Sequence, residues 1–338
     1  MTDKKASVAP AAYRVEDQEL LLGFYKRILW DWLVPRIPAR ISPNSLTIGG
    51  QLLAVVAATC CGLATVGYPA LYYVSAFLFL VYLTADNVDG PHARRTGQTS
   101  PLGEFLDHGL DGSASASLLL TACLMLRVDG VVMAALCAIG GLGFAIIFWE
   151  QFRTGVLIIP KVSTTEGVTL LALCLVLIAA AGEPTWMQFT TDSVTFGTLL
   201  VMALLVGYAT ACVPPIVRVV RAGKSPWELG TVLIVVATQA LFAVLGANGT
   251  APSIAAGLIG GDVTCRIIVL RHRGQAGPIL APMLWLTLVP LALAAAFPTL
   301  WHPDGWAGVA LGIVLASYFS TLVRGGRELL ARARMPRA

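Results

Sequence analysis

The stretch Ala85 Asp86 Asn87 Val88 Asp89 Gly90 Pro91 His92 Ala93 Arg94 Arg95 is followed six residues later by Leu102 Gly103 Glu104 Phe105 Leu106 Asp107 His108 Gly109 Leu110 Asp111 Gly112. It stands between two apolar runs, Tyr68 to Ala85 and Gly112 to Leu126. Five carboxylates at membrane depth are costly unless paired or bound to a cation, and Arg94 and Arg95 cannot neutralise five acids. If the first helix continues through Asp86, then Asp86, Asp89, Gly90 and Ala93 are offset by 0, 3, 4 and 7 and share one face. Asp107 and Asp111, four apart, share a face of the next helix, and Gln98 to Pro101 supply a turn that brings the two helices antiparallel. Four aspartates then converge. Oxygen-only ligands suit Mg²⁺ or Mn²⁺, and four carboxylates suggest two ions clamping a pyrophosphate. Gly90 and Ala93 would let a nucleotide approach the helix backbone closely. Acids that merely cap helices would account for one or two of these aspartates, not for four in helical register.

Outward from this stretch the chain reads as membrane protein. Apolar residues make up 57% of the 338 and charged ones 12%, about half the charged share of soluble domains. Ten apolar runs can be marked as crossings: Ser45 to Thr65, Tyr68 to Ala85, Gly112 to Leu126, Val131 to Phe148, Gly167 to Ala181, Val194 to Val213, Leu229 to Leu245, Ala251 to Val269, Pro278 to Phe297 and Trp306 to Leu322. With both termini cytoplasmic, 22 of the 23 Lys and Arg residues fall on the inner side and only Arg127 does not, as the positive-inside rule requires. Leu21, Phe24, Tyr25, Ile28, Leu29 and Trp32 recur at helical spacing and predict an amphipathic helix lying in the interface. The expected fold is therefore all-α, with about ten transmembrane helices and an N-terminal interfacial helix. The expected layout is a disordered tail over 1–19, the interfacial helix over 20–40, one membrane domain over 41–323 and a basic cytoplasmic tail over 324–338. No cleavable signal peptide is evident in the polar, basic start. The seven cysteines lie inside apolar runs without metal or disulfide spacing. A net charge of +4 gives no argument for a nucleic-acid partner.

The quoted stretch resembles the signature of the CDP-alcohol phosphotransferase family: Asp, two residues, Asp-Gly, two residues, Ala-Arg, eight residues, Gly, three residues, Asp, three residues, Asp. Asp86, Asp89, Gly90, Ala93, Arg94, Gly103, Asp107 and Asp111 fill every fixed position. The wording Asp86 Asn87 Val88 Asp89 Gly90, Ala93 Arg94 Arg95 Thr96 and Ser100 Pro101 Leu102 Gly103 Glu104, with Asp107 His108 Gly109, is similar to the eukaryotic-type choline and ethanolamine phosphotransferase branch. Ten crossings fit that branch too, and Trp149, Thr154, Gly155, Thr165 and Glu166 resemble it more weakly. One departure is Glu150 Gln151 Phe152, where less acidic residues are expected.

The resemblance implies a transferase of phospholipid synthesis. Asp86, Asp89, Asp107 and Asp111 would hold two divalent cations, Mg²⁺ or Mn²⁺, and Asn87, Gly90, Ala93, Arg94, Gly103 and Glu104 would line the substrate site. Phosphocholine or phosphoethanolamine would pass from CDP-choline or CDP-ethanolamine to the hydroxyl of diacylglycerol, with CMP leaving. Glu104, His108 and Asp111 are offset by 0, 4 and 7, which sets an imidazole beside the metal face. His108 assisted by Glu166 is then the expected base, with Asp111 the alternative. The other reading within the family is a CDP-diacylglycerol-dependent transfer to a polar alcohol, in which Arg153 and Lys161 would receive an anionic acceptor. A transporter is the rival from another class, but its acids would be spread over two related halves. His92, His272 and His302 read as structural or surface groups. The clusters Arg218, Arg221, Lys224 and Arg266, Arg271, Arg273 read as topology determinants. A homodimer is implied by the resemblance, and the membrane is the bacterial cytoplasmic membrane or the endoplasmic reticulum.

Overall fold

The computed structural model describes residues 14–182, 190–191 and 194–333. Helices dominate, and the ten apolar runs each meet one. They are α1 (Pro43–Thr65), α2 (Leu71–Thr96), α3 (Pro101–Met125), α4 (Gly130–Thr154), α5 (Thr164–Ala181), α6 (Phe196–Ala211) leading into α7 (Val213–Arg221), α8 (Trp227–Val244), α9 (Thr250–Arg273), α10 (Leu288–Ala296) and α11 (Pro303–Ala333). Among the described residues, eight spans are long and apolar enough to cross a membrane, α6 and α7 forming one of them. The two expected crossings outside this count are α3 and α10. The first half of α3 carries the acids, and α10 with the 3₁₀ turn before it makes an apolar stretch of only Pro282–Ala296. The protein is an all-α, multi-pass integral membrane protein. Many large apolar side chains, Leu52, Phe77, Leu170 and Val206 among them, are exposed, as a surface solvated by lipid requires.

The most enclosed span is α9. It gains that place by having little side chain where it meets its neighbours. A Cβ on Gly112 of α3 would lie 2.4 Å from Gly261 Cα, one on Gly141 of α4 would lie 2.4 Å from the Ala256 carbonyl oxygen, and one on Gly257 would lie 2.2 Å from Ala116 Cβ. In lipid, where apolar surface alone does not drive helices together, such close backbone approach supplies the packing.

The structure describes part of each expected tail. Residues 1–13 and 334–338 lie outside the described residues, but the chain from Arg14 onward is tied down. Strand β1 (Arg14–Asp17) pairs in parallel with β2 (Val156–Ile159). The Gln18 and Leu20 amides donate to the Ile159 and Lys161 carbonyls at 3.2 and 3.3 Å. The loop after α4 leaves a strand's worth of backbone donors and acceptors unpaired, and the terminal segment satisfies them. At the other end the basic stretch continues α11 to Ala333, since Arg is a good helix former and does not end a helix. Between these, residues 22–36 form a helical segment of mixed winding, with Leu22–Tyr25 and Asp31–Leu33 as α turns, Lys26–Trp30 as a wider π turn and Val34–Arg36 as a 3₁₀ turn. Leu20, Phe24, Ile28 and Trp32 are exposed along one side while Trp30 is buried on the other.

Candidate active site

The site is built on a helix hairpin. Gly97, with φ of +68°, ends α2 in the left-handed conformation, and the Gln98 amide then donates to the Ala93 carbonyl at 2.9 Å. Three residues later Ser100 caps α3, accepting the Gly103 amide at 3.0 Å with Pro101 in the first turn. This short link sets the end of α2 beside the start of α3, which brings Asp86 and Asp89 to face Asp107 and Asp111.

Asp86 lies among the carboxylates of Asp111, Asp107 and Asp89 and within hydrogen-bonding reach of Asp111. His108 Nδ1 is 3.8 Å from Asp107 Oδ2 and 4.0 Å from Asp111 Oδ2. Donor atoms of Asp107, His108 and Asp111 all fall within 4.8 Å of one another. Two of the guanidinium groups nearby are engaged elsewhere, Arg95 with the Ile37 carbonyl and His92 and Arg271 with Glu104, while Arg94 is exposed. Asp86 Oδ1 is buried without a hydrogen-bond partner. A buried orphan carboxylate oxygen among three further carboxylates fits a divalent cation, because a hard cation is the partner that this oxygen-rich set lacks. The Asp107 and Asp111 side chains are 29% and 21% exposed, so the cluster can be reached by a ligand.

The other expected residues divide. Apart from the backbone of its own helix, a Cβ on Gly90 would meet only Arg94 Nη1, at 3.5 Å, so open space lies over Gly90 with the exposed Arg94 guanidinium beside it. Ala93 is buried on the same helix. Gly103 instead allows close packing, since its Cβ would sit 3.4 Å from Asn44 Oδ1 and Ser100 Oγ. Asn87 donates its side-chain amide back to the Leu83 carbonyl at 3.0 Å. Glu104 pairs with Arg271 and with His272 Nε2 at 3.0 Å, fastening the start of α3 to the end of α9, so His272 has a partner that the sequence reading did not find. Glu166 is not brought to His108. Its Oε2 accepts the Ser163 amide at 3.0 Å in a capping box at the start of α5, and its Oε1 accepts the Leu21 amide at 2.8 Å. Next to it, Glu19 accepts the Thr165 amide and hydroxyl at 3.1 and 3.0 Å, and burial pushes the Glu19 carboxyl above its ordinary value despite these bonds. His92 is fully buried, its Nε2 2.8 Å from the Ile41 carbonyl oxygen, as a structural histidine should be.

The acidic departure on α4 is paired. Glu150 is buried and takes a two-point contact from Arg218 of α7, with Nη2 2.9 Å from Oε2. Arg153 pairs with Glu228 of α8, Nη2 lying 2.5 Å from Oε1. The sequence reading missed three polar groups. On α1, Thr47 donates to Asp89 Oδ2, and Gln51 Nε2 donates to Asp111 Oδ1 at 2.8 Å. On α9, Asp262 is fully buried, accepts the Ser317 hydroxyl at 2.5 Å and lies 3.5 Å from Arg266 Nε. The sequence signal for each was a lone polar residue within an apolar run.

The sequence pattern of the CDP-alcohol phosphatidyltransferase family matches residues 40–212, which contain the whole hairpin. Cholinephosphotransferase 1 of Gallus gallus is 32% identical over 193 residues, 54% of this chain and 57% of that protein. Cholinephosphotransferase 1 of Xenopus laevis is 28% identical over 194 residues, 55% of this chain and 48% of that protein. The Homo sapiens protein of the same name is 32% identical over 169 residues, 47% of this chain and 41% of that protein. The chain spans about half the length of the curated relatives it matches. Half the chain matching the family pattern, and four aspartates converging where its signature sets them, mean that this chain belongs to the CDP-alcohol phosphatidyltransferase family.

Proposed function

We propose that the protein transfers phosphocholine or phosphoethanolamine from a CDP-alcohol to the hydroxyl of diacylglycerol and releases CMP. The observation that carries this reading is the convergence of Asp86, Asp89, Asp107 and Asp111 from two helices, in a chain similar to several proteins named cholinephosphotransferase 1. These four residues would hold Mg²⁺ or Mn²⁺; two ions, when bound, would offset the charge of the pyrophosphate and of the attacking and leaving oxygens. Arg94, exposed beside the open space over Gly90, meets the remaining phosphate charge. The carboxylates beside His108 Nδ1 favour a proton on that nitrogen and leave Nε2 as the group that takes the proton of the acceptor hydroxyl. Asp111 is the alternative base. Glu166, which holds the N-terminal segment, would assist His108 only through that segment.

The state of Arg153 supports a neutral lipid alcohol as acceptor. Of the two cations expected to receive an anionic acceptor, Arg153 is taken by Glu228, which leaves the exposed Lys161 alone for that role. Both termini cytoplasmic, and two copies paired in the membrane, belong to the same proposal. Purified protein offered CDP-choline or CDP-ethanolamine with diacylglycerol should release CMP and form phospholipid. CMP release confined to CDP-diacylglycerol with a water-soluble alcohol would overturn the assignment.

A further inference from the structure

Thr47 and Gln51 stand one turn apart on α1, a helix whose remaining length is almost wholly apolar. Both are buried, at 4% and 5% exposure. A hydroxyl and an amide buried in such a helix are costly unless their hydrogen bonds are made. Each makes its bond to a different half of the acidic site. The Thr47 hydroxyl has one proton and two acceptors in reach, the Pro43 carbonyl at 3.2 Å and the closer Asp89 Oδ2; the carboxylate is the stronger acceptor. Gln51 Nε2 donates to Asp111 Oδ1 at 2.8 Å, while its Oε1 is left without a partner. The Gln51 amide is thus oriented by Asp111, with its carbonyl end unsatisfied. Asp89 belongs to α2 and Asp111 to α3, so one helix outside the hairpin reaches an aspartate on each arm.

We propose that Thr47 and Gln51 are positioning residues that fix the carboxylate orientations of Asp89 and Asp111. The inference rests on reading the acidic cluster as a divalent-cation site. A carboxylate oxygen that already accepts a hydrogen bond is a poorer metal ligand than its free partner, so each aspartate offers one preferred oxygen. Such outer partners hold ligands in geometry and commonly contribute about 10–100-fold to metal affinity. Because the two donors sit on one rigid helix, capped by Ser42 through the Ser45 amide at 3.1 Å, they also fix the two arms of the hairpin relative to each other.

The test is Mn²⁺ binding by the full chain in detergent, stripped of metal and titrated while the paramagnetic resonance signal of free Mn²⁺ is followed. Asp89→Asn serves as the reference for loss of a ligand. Thr47→Val and Gln51→Met keep volume and lose the donor; each should weaken binding about 10–100-fold. Thr47→Ser, which keeps the hydroxyl, should titrate like the parent chain. Gln51→Asn draws the amide back by one carbon, and should bind more weakly even where Gln51→Met proves too unstable to purify. Melting of the metal-free variants is measured alongside. If the two bonds only knit α1 to its neighbours, melting falls while the Mn²⁺ curves overlay that of the parent, and the proposal is overturned. A parent chain that takes up no Mn²⁺, indistinguishable from Asp89→Asn, overturns the cation site itself and this proposal with it.

Discussion

His108 shares a helix turn with two of the four aspartates, yet its Nδ1 keeps 3.8 and 4.0 Å from them, which suits a group that moves a proton beside the ligands. His108→Ala should therefore leave metal-dependent binding of CDP-alcohol largely intact and slow CMP release by about 10²–10⁴. Near-normal turnover in that variant would pass the role to Asp111. Asp86→Asn, Asp89→Asn and Asp107→Asn should each lose the Mg²⁺-dependent activity while the protein remains recoverable in detergent. The two-ion reading fails should two of the three keep most of their turnover. Chelation gives the same answer by another route, since EDTA should abolish CMP release and added Mg²⁺ or Mn²⁺ restore it.

Helices meet in this protein through two kinds of contact, and each makes a prediction. Where α3, α4 and α9 touch backbone to backbone, even a methyl group has no room, and Gly141→Ala should destabilise by at least about 1–3 kcal/mol, read as a lower melting temperature in detergent. Where α4 meets α7, a buried Glu150 depends on Arg218, and Arg218→Met should cost about 3–5 kcal/mol by stranding the carboxylate. Glu150→Gln in the same chain should recover much of that loss; no recovery would show that the pair is not what holds α7. These contacts also show what could be read in advance. The hairpin was legible because helical period, the turn at Gln98 to Pro101 and the spacing of four aspartates all act within 26 residues. Thr47, Gln51 and Asp262 were not, because an isolated polar residue in an apolar run says nothing about which neighbouring helix will answer it. The anchoring of the two described ends was not legible for a related reason: β1 is held by the loop after α4, and Glu328 of α11 by Arg273 of α9, partners far away in sequence.

At the scale of the whole molecule, the N-terminal segment is strapped to the start of α5, and Glu19 makes that strap sensitive to pH. Its carboxyl titrates above its ordinary value in the folded state because of burial, so the folded chain binds the proton more tightly than the unfolded one. The stability it contributes is complete below the ordinary carboxylate range and is lost as pH rises through the raised value. Glu19→Gln should flatten that part of the profile of melting temperature against pH. The strap also joins the first described residues to the middle of the chain, whereas α9 has a different relation to its partners, one of timing. α3 and α4 are synthesised well before α9, whose glycines fill the seam between them. Until α9 arrives, a nascent chain holds the acidic hairpin with one flank open to lipid and Glu104 without Arg271. The part of the chain that matches the family pattern thus carries all four aspartates but not the partner of Glu104. A fragment ending at residue 224 should be degraded when produced alone, and supplying residues 225–338 as a separate chain should restore it.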